Sequence, residues 1–265
     1  MKYLALVFSI LLVSACATSP TGRSQLVFMP DAQVNQMGLQ AFEQLKQKKP
    51  LSKNTRYIRF ADCVARALTR VVGGQWEVVV FEDKTLNAFA LPGNKIGIHS
   101  GLIEFVDNAD QLAAVVGHEI GHVLARHSNE RLSEKMAVNT GINLISAVAS
   151  PSTPLGQTAV SLLGVGAQYG ILLPFSRTHE SEADVIGLEL MAKAGFDPRQ
   201  SIVLWQKMAA ANNGPRPPEI LSTHPAPASR IQNLEAQLPR ALELWRQVKA
   251  TGFRPRGCCR FENPP

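Results

Sequence analysis

The chain has 265 residues, 45% of them hydrophobic and 18% charged, with a net charge of +6 and four cysteines. That size and apolar content support one buried core and exclude a disordered chain, a collagen-like repeat and a multi-span membrane protein. The 27 basic residues are scattered, and no basic face with interleaved aromatics argues for a nucleic-acid partner. In chain order, Lys2 precedes an apolar run over residues 3–13 and the small residues Ser14 and Ala15. This reads as a secretory signal over residues 1–15, too short for a permanent membrane span. Residues 16–30 read as a polar tether. Asp31 is expected to cap a helix that ends before Pro50, and apolar spacing predicts a second helix over 55–72, broken by Gly73 and Gly74. Residues 76–81 read as a buried strand, and 87–103 as a hairpin turning at Pro92, Gly93 and Asn94. Asn108 and Gln111 resemble a capping box for a strong helix to about residue 126. The small, apolar stretch 139–175 is split by Pro151 and Pro154 into two helical pieces, which could form a lid or simply core. Helices are expected over 177–195, from Asp197 and Pro198 to about Ala211, and over 230–238 and 241–249, with a C-terminal tail over 251–265. The balance is an α+β fold, mostly helical, with one small β-sheet and a single domain over 31–250.

Val13-Ser14-Ala15-Cys16 resembles a bacterial lipobox, in which the cysteine is lipidated and becomes the first residue of the mature protein. By the same resemblance, Ala17 rather than an aspartate points to the outer membrane, facing the periplasm. Several acyl chains on Cys16 would anchor the chain to a membrane without spanning it. Three cysteines remain. The adjacent Cys258 and Cys259 are poorly placed to bridge each other. In an oxidising compartment Cys63 is therefore expected to pair with one of them, tying the tail to the second helix.

The chemistry is concentrated in His118-Glu119-Ile120-Gly121-His122. Histidines four apart on a helix lie about 40° apart on one face, one turn from each other. Two such imidazoles can bind one zinc ion while Glu119 faces a metal-bound water. Leu112, Ala113, Val115 and Val116 make the same helix apolar, where two histidines and a glutamate are costly unless paired or metal-bound. A metzincin would continue with glycine at 125 and histidine at 128; Ala125 and Ser128 exclude that class. His127, roughly 140° around an ideal helix from His122, is poorly placed for the same metal. The third ligand should be a carboxylate on a later helix. Glu180 is assigned to it, with Asp184 on the same face to accept a histidine ligand's second ring N–H. Ala183 and Gly187, also sharing a face, would let that helix approach the zinc helix closely. Glu182 is expected at the surface, and His99 and His179 are read as structural or surface residues.

These motifs, with the 87–93 hairpin and Ser222-Thr223-His224-Pro225 followed by Arg230, resemble the gluzincin family of HtpX, BepA, LoiP and Oma-like zinc endopeptidases. The resemblance covers most of residues 31–240, with the motifs in the same order. It implies a zincin-type metallopeptidase domain with one Zn²⁺, acting on misfolded or misassembled cell-envelope proteins, with the outer-membrane assembly machinery as a possible partner. A chaperone or assembly factor with little or regulated proteolysis is the alternative. Glu119 would be the general base. The backbone of Asn87, Ala88, Phe89 and Ala90 would bind extended substrate as an edge strand. His224 would lie near the zinc, stabilising the oxyanion or capping the metal, and Arg230 would pair with an acidic group to hold that loop.

Overall fold

The computed structural model describes residues 16–148, 172–212, 219–220, 224, 228–253 and 255. In order, these form β1 (Cys16–Thr18), β2 (Ser24–Leu26), α1 (Asp31–Lys48), α2 (Thr55–Val72), β3 (Glu77–Phe81), β4 (Ala88–Leu91) and β5 (Lys95–His99), followed by α3 (Ser100–Phe105), α4 (Ala109–Leu124), α5 (His127–Val148), α6 (Leu172–Lys193), α7 (Arg199–Ala211) and α8 (Ala228–Ala250). The architecture is α+β and mostly helical, as the sequence pattern implies. The stretch 139–175, read as lid or core, lies mainly outside the described residues, as do Cys258 and Cys259.

The larger sheet has the order β3-β5-β4, with β3 parallel to β5 and β4 antiparallel to it. Phe89 pairs with Gly97 in this register. A side chain at 97 would overlap the Phe89 ring, since a Cβ there would stand 2.2 Å from it. Glycine therefore lets the ring lie across the neighbouring strand. Among the described residues β5 is the only strand paired with β4, so the backbone of β4 forms a sheet edge. The edge strand starts at Ala88, one residue later than expected. Asn87 precedes it and donates through Nδ2 to Glu219 Oε1 at 3.3 Å.

Two local caps set the helices that matter most. Asn54 Oδ1 accepts from the amides of Arg56 and Tyr57 to open α2, and Asn108 Oδ1 accepts from Gln111 N at 2.9 Å to open α4. Each such cap is worth about 1 kcal/mol. The reciprocal contact of the box shifts by one residue, because Gln111 Oε1 accepts from Asp107 N. Asp31 opens α1 without capping it; its carboxylate accepts from Arg126 Nε and Asn129 Nδ2 instead. Phe60, Ala61, Val64, Ala65 and Leu68 bury one face of α2, whereas α4 is buried on nearly every side. A helix apolar all round belongs at the centre of a core, and α4 packs against α6, α2, α7 and β4.

Small residues set the distance between α4 and α6. A Cβ on Gly187 would meet His118 N at 2.7 Å, and one on Gly121 would meet Ala183 O at 2.8 Å. Those contacts involve backbone, which cannot rotate away. Gly187→Ala is therefore expected to destabilise the fold by about 1–3 kcal/mol and to weaken zinc binding by forcing the helices apart. Urea midpoints together with competition against a chromophoric chelator measure both effects.

Three further expectations change. The two C-terminal helices are one, with Pro239 inside α8. Leu234 and Ala241 are both buried, seven residues apart on one face, so continuous packing offsets the roughly 3 kcal/mol that an interior proline costs. The α6 helix starts at Leu172 rather than Arg177, which places Glu180 well inside it and not in a solvated first turn. Residues 16–26 are a hairpin docked on the domain, pairing Ala17 with Gln25. Gln25 is 2% exposed and donates to Ala125 O and Glu130 Oε2.

Candidate metal centre

The α4 helix presents His118 and His122 one turn apart, with their Nε2 atoms 3.0 Å from each other. From α6, Glu180 reaches both: Oε2 stands 3.2 Å from His118 Nε2 and Oε1 3.4 Å from His122 Nε2. His224 closes the group, its Nδ1 2.9 Å from Glu180 Oε1 and 3.4 Å from His118 Nε2. One donor atom from each of the four lies within 4.8 Å of all the others.

The surroundings select the ligand atoms. His118 Nδ1 lies 2.9 Å from Asp184 Oδ1, and a carboxylate can only accept, so this nitrogen carries the hydrogen. The lone pair then sits on Nε2, facing the other donors. Arg230 fixes Asp184 with a fork, Nε to Oδ2 at 2.8 Å and Nη2 to Oδ1 at 2.6 Å. Its guanidinium stacks 3.6 Å over the Trp205 ring. Burial and the nearby Arg230 both oppose a second proton on His118, yet the Asp184 and Glu180 carboxylates pull its pKa up to about 9, so a bound metal would replace that proton on Nε2. Glu180 is held far below the ordinary carboxylate range against its burial, chiefly by His118 and His224. Three imidazoles and a carboxylate converging here, with Glu180 Oε2 lacking a hydrogen-bond donor among the described residues, call for a cation at their centre. Two imidazoles and a carboxylate, with a third imidazole beside them, fit Zn²⁺.

Glu119, 3% exposed, stands between this cluster and the sheet. Its Oε2 accepts from Ala90 N on the edge strand at 3.3 Å, and its Oε1 lies 3.5 Å from His224 Nε2 without a hydrogen bond. A buried carboxylate, the histidine–glutamate cluster and a sheet edge without a second strand among the described residues thus meet at one place.

The model of peptidase family M48 matches residues 52–238 of this chain. The chain belongs to this family. M48 metallopeptidases are zinc-dependent, in keeping with the donor set above. The chain is 40% identical over 186 residues to the mitochondrial metalloendopeptidase OMA1 of Schizosaccharomyces pombe, covering 67% of this chain and 53% of that protein. It is 32% identical over 206 residues to the beta-barrel assembly-enhancing protease of Escherichia coli, covering 74% and 42%. Human OMA1 is 29% identical over 257 residues, covering 90% and 49%. The chain spans about half the length of the curated relatives it matches.

Behind this histidine–glutamate cluster lies a second group of polar side chains that sequence reasoning missed. Arg126 adopts a positive φ of 55° and separates α4 from α5, which frees His127 from the helical spiral of His122. The two rings then meet, Nδ1 to Nδ1, at 2.9 Å. His127 also stacks on His179, with ring centroids 4.3 Å apart, and its Nε2 lies 3.1 Å from Glu182 Oε2. Glu182, expected at the surface, is 5% exposed, and His179 and His99 are 2% and 1% exposed. His179 Nε2 lies 3.0 Å from Glu130 Oε2. The acidic run from Glu180 to Asp184 therefore faces two sites, with Glu180 and Asp184 toward one and Glu182 toward the other. A histidine five residues after His122 was the available signal, but only the break at Arg126 gives it meaning.

Arg23 from the N-terminal hairpin supplies the positive charge here. Its Nη1 and Nη2 reach the two Glu130 oxygens at 2.6 Å each, and its Nε donates to Glu182 Oε2 at 3.0 Å. Burial alone would raise both carboxyls. Arg23, His179 and Gln25 instead hold Glu130 at about 2, and Ser19, Thr21, His127 and Arg23 hold Glu182 at about 2. A depressed carboxyl contributes stability above its unfolded pKa and loses it as pH falls towards the folded one. The urea midpoint is thus expected to fall as pH drops from about 4.5 to about 2. Arg23→Met should be less stable at pH 7 and converge with the wild type at the acid end. A pH series of unfolding curves for both proteins checks the sign. Cys63, 8% exposed on α2, is disulfide-bonded.

Proposed function

We propose that this chain is a zinc endopeptidase of the bacterial cell envelope, cleaving misfolded or misassembled envelope proteins and anchored through a lipid on Cys16. The observation that carries the reading is the position of Glu119, in contact with the edge strand on one side and beside the ligand cluster on the other. His118, His122 and Glu180 would hold the zinc, which supplies Lewis acidity towards a scissile carbonyl and a water. Glu119 removes a proton from the attacking water and returns it to the leaving amine. The free edge of β4 binds an extended peptide by adding it as a strand, reading backbone more than side chains. That selectivity suits unfolded polypeptide. Asp184 and Arg230 keep His118 in the tautomer that binds metal.

The envelope location rests on the signal and lipobox pattern over residues 1–16, and it is supported by the E. coli relative named for β-barrel assembly. No helix among the described residues is long and apolar enough to cross a membrane. His224 also supports regulated proteolysis, the alternative in which the chain acts mainly as an assembly factor. With its Nδ1 among the other ligand atoms, it offers a fourth protein ligand where a catalytic zinc normally keeps an open position. The bond that Cys63 forms is proposed to join it to Cys258 or Cys259.

The decisive test digests reduced, carboxymethylated casein with purified protein and sizes the products. Internal peptides that disappear on chelation and return with zinc are expected. Release of single residues would point to an exopeptidase. No cleavage by zinc-loaded protein, with retained client binding, would favour the assembly-factor reading.

A further inference from the structure

The group formed by His127, Glu130 and His179 could itself suggest a second metal site, since these residues offer ligand atoms within 4.8 Å of one another. The Arg23 fork argues otherwise. Its guanidinium already spans both Glu130 oxygens, occupying with a fixed cation the place a metal would need. The group has a different use, legible from the direction of its hydrogen bonds.

Glu182 is a carboxylate held ionised by Arg23 and Thr21, so it can only accept. His127 Nε2, 3.1 Å away, must therefore carry the hydrogen. A neutral imidazole with hydrogen on Nε2 has its lone pair on Nδ1. That lone pair faces His122 Nδ1 at 2.9 Å, so His122 must donate there and keep its own lone pair on Nε2. Nε2 is the atom that faces His118 and Glu180. We infer that Glu182 and His127 are positioning residues for the zinc, fixing the tautomer and ring angle of His122 through a two-histidine relay braced by the N-terminal hairpin. His118 receives the same service directly from Asp184. His122 has no carboxylate of its own within hydrogen-bond distance of Nδ1 among the described residues, and the relay brings one to it from the next turn-and-helix. All three relay side chains are largely enclosed, with Glu182 at 3%, His127 at 2% and His122 at 14% side-chain exposure. Water therefore does not readily substitute for a lost partner.

The inference rests on the metal-site reading above, and the experiment separates the two. Zinc affinity of the full chain is measured by competition with a chromophoric chelator, beside the visible spectrum of the Co²⁺-loaded protein and the apo-protein melting temperature. Wild type must bind zinc; if it does not, the metal-site reading fails and this inference with it. His127→Phe keeps the ring stack on His179 but offers no acceptor to His122. It should bind zinc about 10–100-fold more weakly, the usual effect of losing such a partner, and shift the Co²⁺ bands. Glu182→Gln keeps the shape but can present either oxygen or nitrogen to His127, so the direction is no longer imposed; a loss of about tenfold is expected. His179→Phe is the control, equally buried and stacked on His127 but outside the relay, and should stay within about threefold of wild type. Wild-type affinity and an unchanged Co²⁺ spectrum in His127→Phe overturn the inference. So does an equal loss in His179→Phe, which would make the effect one of packing. If His127→Phe does not fold, Glu182→Gln against His179→Phe decides by the same criterion.

Discussion

Glu119→Gln is expected to lose about 10²–10⁴-fold in peptide cleavage, the range for removing a general base, while zinc stays bound. The substitution is unusually clean here. The amide oxygen can still accept from Ala90 N, the one hydrogen bond that the carboxylate makes among the described residues. The other oxygen accepts none, so an amino group in its place breaks nothing. Removing a charge from a side chain that is 4% exposed relieves desolvation and should leave the apo protein at least as stable. Activity and stability therefore separate, which few active-site substitutions allow. Single-turnover cleavage of a quenched peptide, zinc content by mass spectrometry and a melting curve make the measurement. Activity within tenfold of wild type would mean that some other group takes the proton. A variant that also loses its zinc would mean that Glu119 belongs to the ligand set.

Arg230→Met should cost about 3–5 kcal/mol in the apo protein, the range for breaking a buried ion pair by deleting one partner. Arg230 is 3% exposed and forks Asp184, itself 5% exposed, with Glu180 3.4 Å from Nη1. Deletion leaves the buried Asp184 carboxylate with only the His118 Nδ1 hydrogen for a partner among the described residues and removes the stack on Trp205. Arg230→Lys should recover little, because an ammonium cannot fork two oxygens and stack its plane on the indole. Urea unfolding in chelator reads the stability term alone. Zinc competition then reads a second loss, since a loosened Asp184 no longer holds His118 by its Nδ1 hydrogen. Equal stability of all three proteins would show that Asp184 is satisfied by other means.

The two arginines differ in how visible they were. Arg230 follows a short motif and was expected to pair with an acid, as it does. Arg23 sits in the segment 16–30, read as a polar tether, and no helical or strand periodicity marks it otherwise. Its partners, Glu130 and Glu182, lie 107 and 159 residues away in the chain. Glu182 was assigned to solvent on helical angle alone. That reasoning places a residue relative to its own helix but says nothing about what packs on the opposite face.

Periodicity, caps and the four-residue spacing of His118 and His122 are local properties, so the chain order alone determined most helices, the β4–β5 hairpin and the helical face that His118 and His122 share. Ala183 and Gly187 even announced the close approach of α6, because small residues on one face have few other uses next to acidic ones. The tertiary structure decided what depends on two faces meeting. It joined α8 through Pro239, turned His127 out of α4 at Arg126, and buried Glu182 and Glu130 under a hairpin from the far end of the chain. Charges of this kind are stable inside a protein only when a partner arrives from elsewhere. A local pattern can mark such a residue as costly to bury, but the fold alone supplies the group that makes burial possible.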